Sequence, residues 1–128
     1  MELFSWLFKK RKSAVVIDVR GRGSYAFDLV GESECQSALE NICGGKSQDG
    51  HKKIVVAMLV PEGRKAIRVE INGMTVGYLN KENARQFRQR LKKAGRAGAR
   101  AYCSAMITGG RDRGGEDRLD FVVKLDLP

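Results

Sequence analysis

The sequence predicts a mainly β domain. It should be a small, strongly curved sheet or partly open barrel of about six to seven antiparallel strands, with two helices packed on it. Three observations lead there. Short apolar runs, β-branched or alternating, recur between residues 14 and 127, each followed within two residues by glycine, proline or asparagine. Short links join neighbouring runs, which favours antiparallel pairing. Only two stretches place apolar residues at helical spacing. A length of 128 residues suffices for one modest core, and 42% hydrophobic with 30% charged residues is an ordinary globular balance, which argues against a disordered chain. No apolar run approaches the roughly 20 residues that span a bilayer as a helix.

Ala14–Val19 reads as the first strand, because valine and isoleucine favour a pleated backbone. Gly21, Gly23 and Ser24 turn the chain, Tyr25–Val30 forms the second strand, and Gly31 ends it. Ser33 followed by Gln36 has the pattern of a capping box. Cys35, Ala38, Leu39 and Ile42 then recur at helical spacing until Gly44 and Gly45 stop the helix. Residues 46–51 form a polar loop. The continuous apolar run Ile54–Val60 is the predicted central strand, and Pro61-Glu62-Gly63 breaks it.

Ala66–Ile71 alternates as a half-buried strand, with Ile67, Val69 and Ile71 on one face and Arg68 and Glu70 on the other. Asn72-Gly73 is a hairpin signal, since both residues accept the positive φ of a type I′ turn. Met74–Leu79 is the return strand. Asn80 caps a second helix that runs to about Ala94. Its narrow apolar stripe is Ala84, Phe87, Leu91 and Ala94; Lys81, Arg85, Arg88, Arg90, Lys92 and Lys93 make the rest basic. Gly95 terminates it and residues 96–100 form a basic connector. Tyr102–Thr108 and Leu119–Leu127 close the domain, joined by a glycine- and charge-rich loop. Residues 1–13 thus read as a tail and 14–128 as one domain.

The net charge of +9 is unevenly placed. Residues 1–13 carry four basic groups and one acid, and residues 14–80 carry eight of each sign. Residues 81–100 carry eight basic groups against Glu82 alone, and residues 101–128 carry four basic groups against five acids. The domain is therefore neutral apart from one helix with its connector. The tail, with Leu3, Phe4, Trp6, Leu7 and Phe8 ahead of Lys9-Lys10-Arg11-Lys12, has its apolar and basic parts in the reverse order of a secretory signal. Such a segment suits an anionic membrane interface, a frayed tail or a short helix docked on the domain.

Catalytic chemistry finds little support. Three cysteines are an odd number without metal spacing, which fits a reducing, cytoplasmic setting and buried thiols. Cys35 and Cys43 on one helix would stand about 12 Å apart, too far for a disulfide. Gly45-Lys46-Ser47 resembles the end of a phosphate-binding loop, but Glu40 occupies the place of its first glycine. His51, the single histidine, falls in a polar loop with no nucleophile elbow nearby. The expectation is a protein that is no enzyme and uses no cofactor or metal.

The basic helix points instead to phosphate. Eight basic groups against one acid exceed what solubility requires, and phosphate neutralisation gives sequence-independent, salt-sensitive affinity. Tyr78 and Lys81 flank the helix start, where an exposed tyrosine could stack on a base. The competing expectation is a protein- or membrane-surface interaction module anchored by Leu3–Lys12.

Several segments resemble a HIRAN domain over residues 26–127. They are Val30-Gly31-Glu32-Ser33, Leu59-Val60-Pro61-Glu62, Ala66-Ile67-Arg68-Val69, Asn72-Gly73 and Val76-Gly77-Tyr78-Leu79 with Ala84. Gly109-Gly110-Arg111-Asp112-Arg113 and Val123-Lys124-Leu125-Asp126-Leu127 resemble the tail of small bacterial stand-alone members. The resemblance implies an OB-like barrel of about six strands with two helices. It also implies an accessory module, without catalysis of its own, that binds single-stranded or end-containing DNA and works beside a helicase or nuclease partner. End-binding members carry Asn-Pro-Tyr-Asp before the Ala-Ile-x-Val strand; this chain has Glu62-Gly63-Arg64-Lys65. They carry an Arg-Tyr-Tyr-like segment after the first Val-Gly; this chain has Ser33-Glu34-Cys35 nearby. The resemblance therefore carries over only Tyr78 and Lys81, with Arg64 and Lys65 in the loop that replaces the missing motif. The expected nucleic-acid-binding set is Tyr78, Lys81, Arg85, Arg88, Lys92, Arg64 and Lys65.

Overall fold

A computed structural model describes residues 16–19 and 21–128. The tail, the start of the first predicted strand and the proposed membrane anchor lie outside the described residues. Along the chain run β1 (Val16–Asp18), β2 (Phe27–Asp28), a 3-10 turn (Glu32–Cys35), α1 (Gln36–Cys43), β3 (His51–Glu62), β4 (Ala66–Ile71) and β5 (Met74–Tyr78). Then follow α2 (Lys81–Lys93), β6 (Arg100–Gly109), β7 (Arg111–Asp112), β8 (Arg118–Leu119) and β9 (Val122–Asp126). The protein is mainly β, a curled half-barrel sheet with two short helices, as a small OB-like partly open barrel is.

Six strands pair antiparallel in the order β2-β9-β6-β3-β4-β5. The segment after β2 bends toward the far end of the sheet. Phe27 and Asp28 pair with Leu125 and Lys124 of β9, whereas Val30 exchanges backbone hydrogen bonds with Tyr78 of β5, at 2.8 and 2.9 Å. This short stretch links both ends of the curl. Between Val69 and Glu70 the register of β4 on β5 shifts and leaves Val76 as an extra residue on β5. Such a bulge sharpens the local bend.

Among the described strands, the pairing of β1 departs from the antiparallel expectation. β1 runs parallel to β6, with Val16–Asp18 opposite Arg100–Tyr102. β9 covers only Ser104–Thr108 along that side of β6, so β1 fills the edge that β9 leaves. Tyr25–Val30, read as a full strand, pairs as a ladder only at Phe27 and Asp28. The closing segment 119–127 divides at Asp120-Phe121, where the short β7–β8 ribbon ends and β9 begins.

The capping box at Ser33 is replaced by the 3-10 turn, and the side chain of Gln36 is used elsewhere. Its Nε2 donates to Glu32 O and Phe121 O, both at 3.0 Å, while Oε1 accepts from Phe121 N–H at 2.8 Å. Glu32 accepts from Val123 N–H at 2.8 Å, and burial pushes its carboxyl above the usual range. Both side chains satisfy backbone groups of the β9 segment, which outweighs a local cap. α1 ends as expected, with Gly44 in the left-handed region at φ 76°.

β3 is longer at both ends than its apolar run. His51 opens the strand instead of lying in a loop, with Nε2 2.8 Å from Gly45 O and its ring stacked on Phe121 at 5.6 Å. Pro61 lies inside β3 opposite Ile67. The pairing of β3 with β6 ends at Leu59, so at Pro61 the strand has β4 alone as neighbour. A missing N–H is tolerable at such a place.

The inner faces of β3, β4, β6 and β9 meet in the core through Ala57, Leu59, Ile67, Val69, Ala105, Ile107, Val123 and Leu125, all under 5% exposed. Leu39 from α1 and Ala84, Phe87 and Leu91 from α2 close it. Ala94, expected to extend this stripe, is exposed beyond the helix end.

Candidate nucleic-acid interface

Local sequence places one wall of the candidate site. The Asn80 side chain accepts from Asn83 N–H at 2.8 Å and starts α2 immediately after β5. Lys81, Arg85, Arg88 and Lys92 then recur at i, i+4, i+7 and i+11, within roughly 60° of the helix circumference. The buried stripe Ala84, Phe87 and Leu91 is turned roughly 100° from them. Burying that stripe on the sheet fixes the direction in which the basic row faces.

The other wall is the turn between β3 and β4. Gly63, at φ 58°, lets the chain reverse, and Arg64 and Lys65 are exposed at its tip. Helix and turn enclose a groove of about 660 Å³, a size typical of ligand clefts. Its floor is apolar, made by Ala66, Leu79 and Ala84, with Gln89 and Glu82 at the rim. Six of the seven expected residues line it: Arg64, Lys65, Lys81, Arg85, Arg88 and Lys92. Four come from one helical row; Arg64 and Lys65 arrive from 16 or more residues upstream, a meeting that no local pattern announces.

The cations are not equivalent. Lys81, Arg85 and Lys92 are exposed, as are Arg64 and Lys65. Arg85 forks onto the carboxylate of Glu82, which also accepts from Gln86 Nε2 at 3.1 Å. The Arg85 guanidinium holds the Glu82 carboxyl below its usual range, so this lone acid of the groove stays ionised. Arg88 is half-buried. Its Nη2 donates to the carbonyl oxygens of Ala66 at 2.7 Å, Gly63 at 3.1 Å and Glu62 at 3.2 Å. Its Nε is buried without a hydrogen-bond partner.

Tyr78 is the expected residue that does not line the groove. Strand alternation turns it away from its neighbour Leu79, whose side chain does line it. The Glu62 carboxylate pushes the Tyr78 phenol above its usual range. Arg68, directly across on β4, donates to Glu62 at 2.7 Å and to Glu70 at 2.9 Å. Sequence reading missed this network and the apolar floor. Alternation on β4 and β5 signals which residues share a face, but Glu62 enters from β3, outside that pattern.

The other motifs serve the fold. Ser47 of Gly45-Lys46-Ser47 donates through Oγ to Gly50 O at 2.8 Å and through its N–H to Gly110 O at 3.0 Å. Cys35 and Cys43 are half-buried and Cys103 is buried, all as free thiols. Among the described residues, no group of three or more His, Cys, Asp or Glu side chains could hold a metal ion. Among the described residues, no helix is long and apolar enough to cross a membrane. Comparison with family models, with curated proteins and with solved structures finds no match to this chain.

Proposed function

We propose that the chain is a HIRAN-like accessory module that binds nucleic acid, single-stranded or end-containing DNA in the first instance, through the groove between α2 and the β3–β4 turn. The observation that carries this reading is the convergence of six cations on one groove with Glu82 as the lone acid. A phosphate backbone lying along the helical row meets cations about every turn, and bound counterions are released as it docks. The apolar floor offers a surface for a base or sugar between charged walls. The chemistry performed on the DNA belongs to a helicase or nuclease partner in this reading, and the module acts in the cytoplasm.

The test is fluorescence anisotropy with single-stranded, double-stranded and 3′-blocked oligonucleotides at two salt concentrations. Affinity should fall steeply with salt, with a log–log slope of about −2 to −3 for three or four neutralised phosphates of a single strand. Blocking the 3′ hydroxyl should have little effect, because the Asn-Pro-Tyr-Asp segment is replaced by Glu62-Gly63-Arg64-Lys65. A flat salt dependence would overturn the proposal. So would unchanged affinity after Lys81, Arg85 and Lys92 are neutralised together.

A further inference from the structure

We propose that Arg88 is a positioning residue of the groove and not one of its phosphate ligands. It ties the turn that carries Arg64 and Lys65 to the helix that carries Lys81, Arg85 and Lys92. The inference rests on the nucleic-acid reading of the groove and assigns its parts different jobs.

The geometry separates Arg88 from its helical neighbours. Lys81, Arg85 and Lys92 share its row and are exposed, whereas Arg88 is half-buried. The three carbonyl oxygens that Nη2 reaches belong to Glu62, Gly63 and Ala66, which bracket Arg64 and Lys65 on both sides. The contacts join positions 22 to 26 residues apart. No side chain of α2 other than Arg88 is hydrogen-bonded to this turn among the described residues. A charged guanidinium on neutral carbonyls forms strong, directional bonds. A phosphate approaching Nη2 would have to displace them.

The arrangement also answers a problem of charge. Both walls are positive, and at ordinary salt the screening length is about 10 Å, comparable to the width of a groove. Like charges across it push the turn away from the helix. Arg88 adds a fastening whose own charge is met by carbonyl dipoles, so the walls are held facing each other before any anion arrives. Lysine is a poor replacement, since its side chain stops one atom short of the position of Nη2 and its ammonium is the more strongly hydrated cation.

Two measurements on the full chain decide the matter. The first needs no nucleic acid: hydrogen–deuterium exchange of the 62–66 turn in the wild type, Arg88→Gln and Arg88→Lys. Both variants should exchange faster there while β6 stays protected. If Arg88→Gln loosens the whole sheet, Arg88→Lys, which keeps the charge and most of the aliphatic stem, provides the comparison. The second is oligonucleotide affinity in a double-mutant cycle. Arg88→Gln should cost about fivefold in the wild type and less than twofold once Arg64 and Lys65 are both alanine. Arg88→Lys should lose nearly as much as Arg88→Gln despite its charge. Equal losses in both backgrounds, with unchanged exchange of the turn and full rescue by lysine, would make Arg88 a direct phosphate ligand and overturn the proposal. If the wild type binds no oligonucleotide, the functional reading of the groove fails, while the exchange data still decide whether Arg88 ties the turn.

Discussion

Gly110 packs flush against the ring of Phe121, so close that a Cβ on the glycine would overlap the ring edge. Its φ of 67° is also one that other residues adopt at a cost. Phe121 is 1% exposed and cannot retreat, since His51 stacks on its ring and Gln36 holds its backbone. Gly110→Ala should therefore cost roughly 2–3 kcal/mol and lower Tm by several degrees, through overpacking and backbone strain together. Gly114, at φ 92° with open space around it, separates the two causes. Gly114→Ala should cost only about 1 kcal/mol. Thermal melts followed by circular dichroism compare them; equal losses would mean that contact with Phe121 contributes nothing.

Tyr78 lies outside the groove lining, and its phenol is raised by the Glu62 carboxylate. Tyr78→Phe should leave oligonucleotide affinity within about twofold of the wild type. Arg64→Ala with Lys65→Ala should weaken it severalfold, as each lost phosphate contact does at moderate salt. A large loss for Tyr78→Phe or Tyr78→Leu would return the tyrosine to the stacking role read from the sequence. In the same protein, the phenol should ionise above its ordinary range in an ultraviolet titration, because the Glu62 carboxylate favours the neutral hydroxyl.

Glu82 opposes polyanion binding at neutral pH, since Arg85 holds its carboxyl below the usual range and it is ionised there. Removing that charge with Glu82→Gln should tighten oligonucleotide binding about threefold at low salt. The gain should fade at 1 M salt, where screening extends only about 3 Å. The ion pair is exposed, so the melting temperature should hardly move. Anisotropy titrations at two salt concentrations test this, and weaker binding by the variant would contradict it.

Burial, helped by the negative charge of Asp126, pushes the Cys103 thiol up to about 12. The folded state therefore favours the neutral thiol. Stability should be constant below the ordinary thiol value and fall as pH rises from there toward about 12, because the unfolded chain ionises first. A thiol reagent at pH 8 should label Cys35 and Cys43, which are half-buried, and reach Cys103 only on unfolding. Mass spectrometry of native and urea-treated protein reads the difference; three labelled thiols in the native state would refute it.

Much of the fold was legible because it obeys local rules. Ala66–Ile71 is a strand with Ile67, Val69 and Ile71 buried, as its alternation requires. Asn72 and Gly73 both take positive φ, 52° and 77°, the conformation that made them a hairpin signal. Asn80 caps α2 as read. The failures have a common cause. Ser33 and Gln36 satisfy a capping pattern, yet Gln36 bonds the backbone of Phe121, 85 residues away. Pro61 marks a break in sequence terms, yet it falls where β3 has lost its second neighbour. The parallel approach of β1 to β6 depends on where β9 ends. In each case a distant segment supplied or withdrew a backbone partner.

The sequence by itself determined the β class, the two helices, and the basic row Lys81, Arg85, Arg88 and Lys92, because helical and strand periods are written in neighbouring residues. Only the tertiary structure decided that Arg64 and Lys65 face that row across an apolar floor, that Tyr78 stays out of that groove, and that Nη2 of Arg88 is taken up by the carbonyls of Glu62, Gly63 and Ala66. The physical reason is one of range. A period sets which way a side chain leaves its own backbone, but the charge, carbonyl or ring it meets there is fixed by how the sheet curls and where the next segment returns.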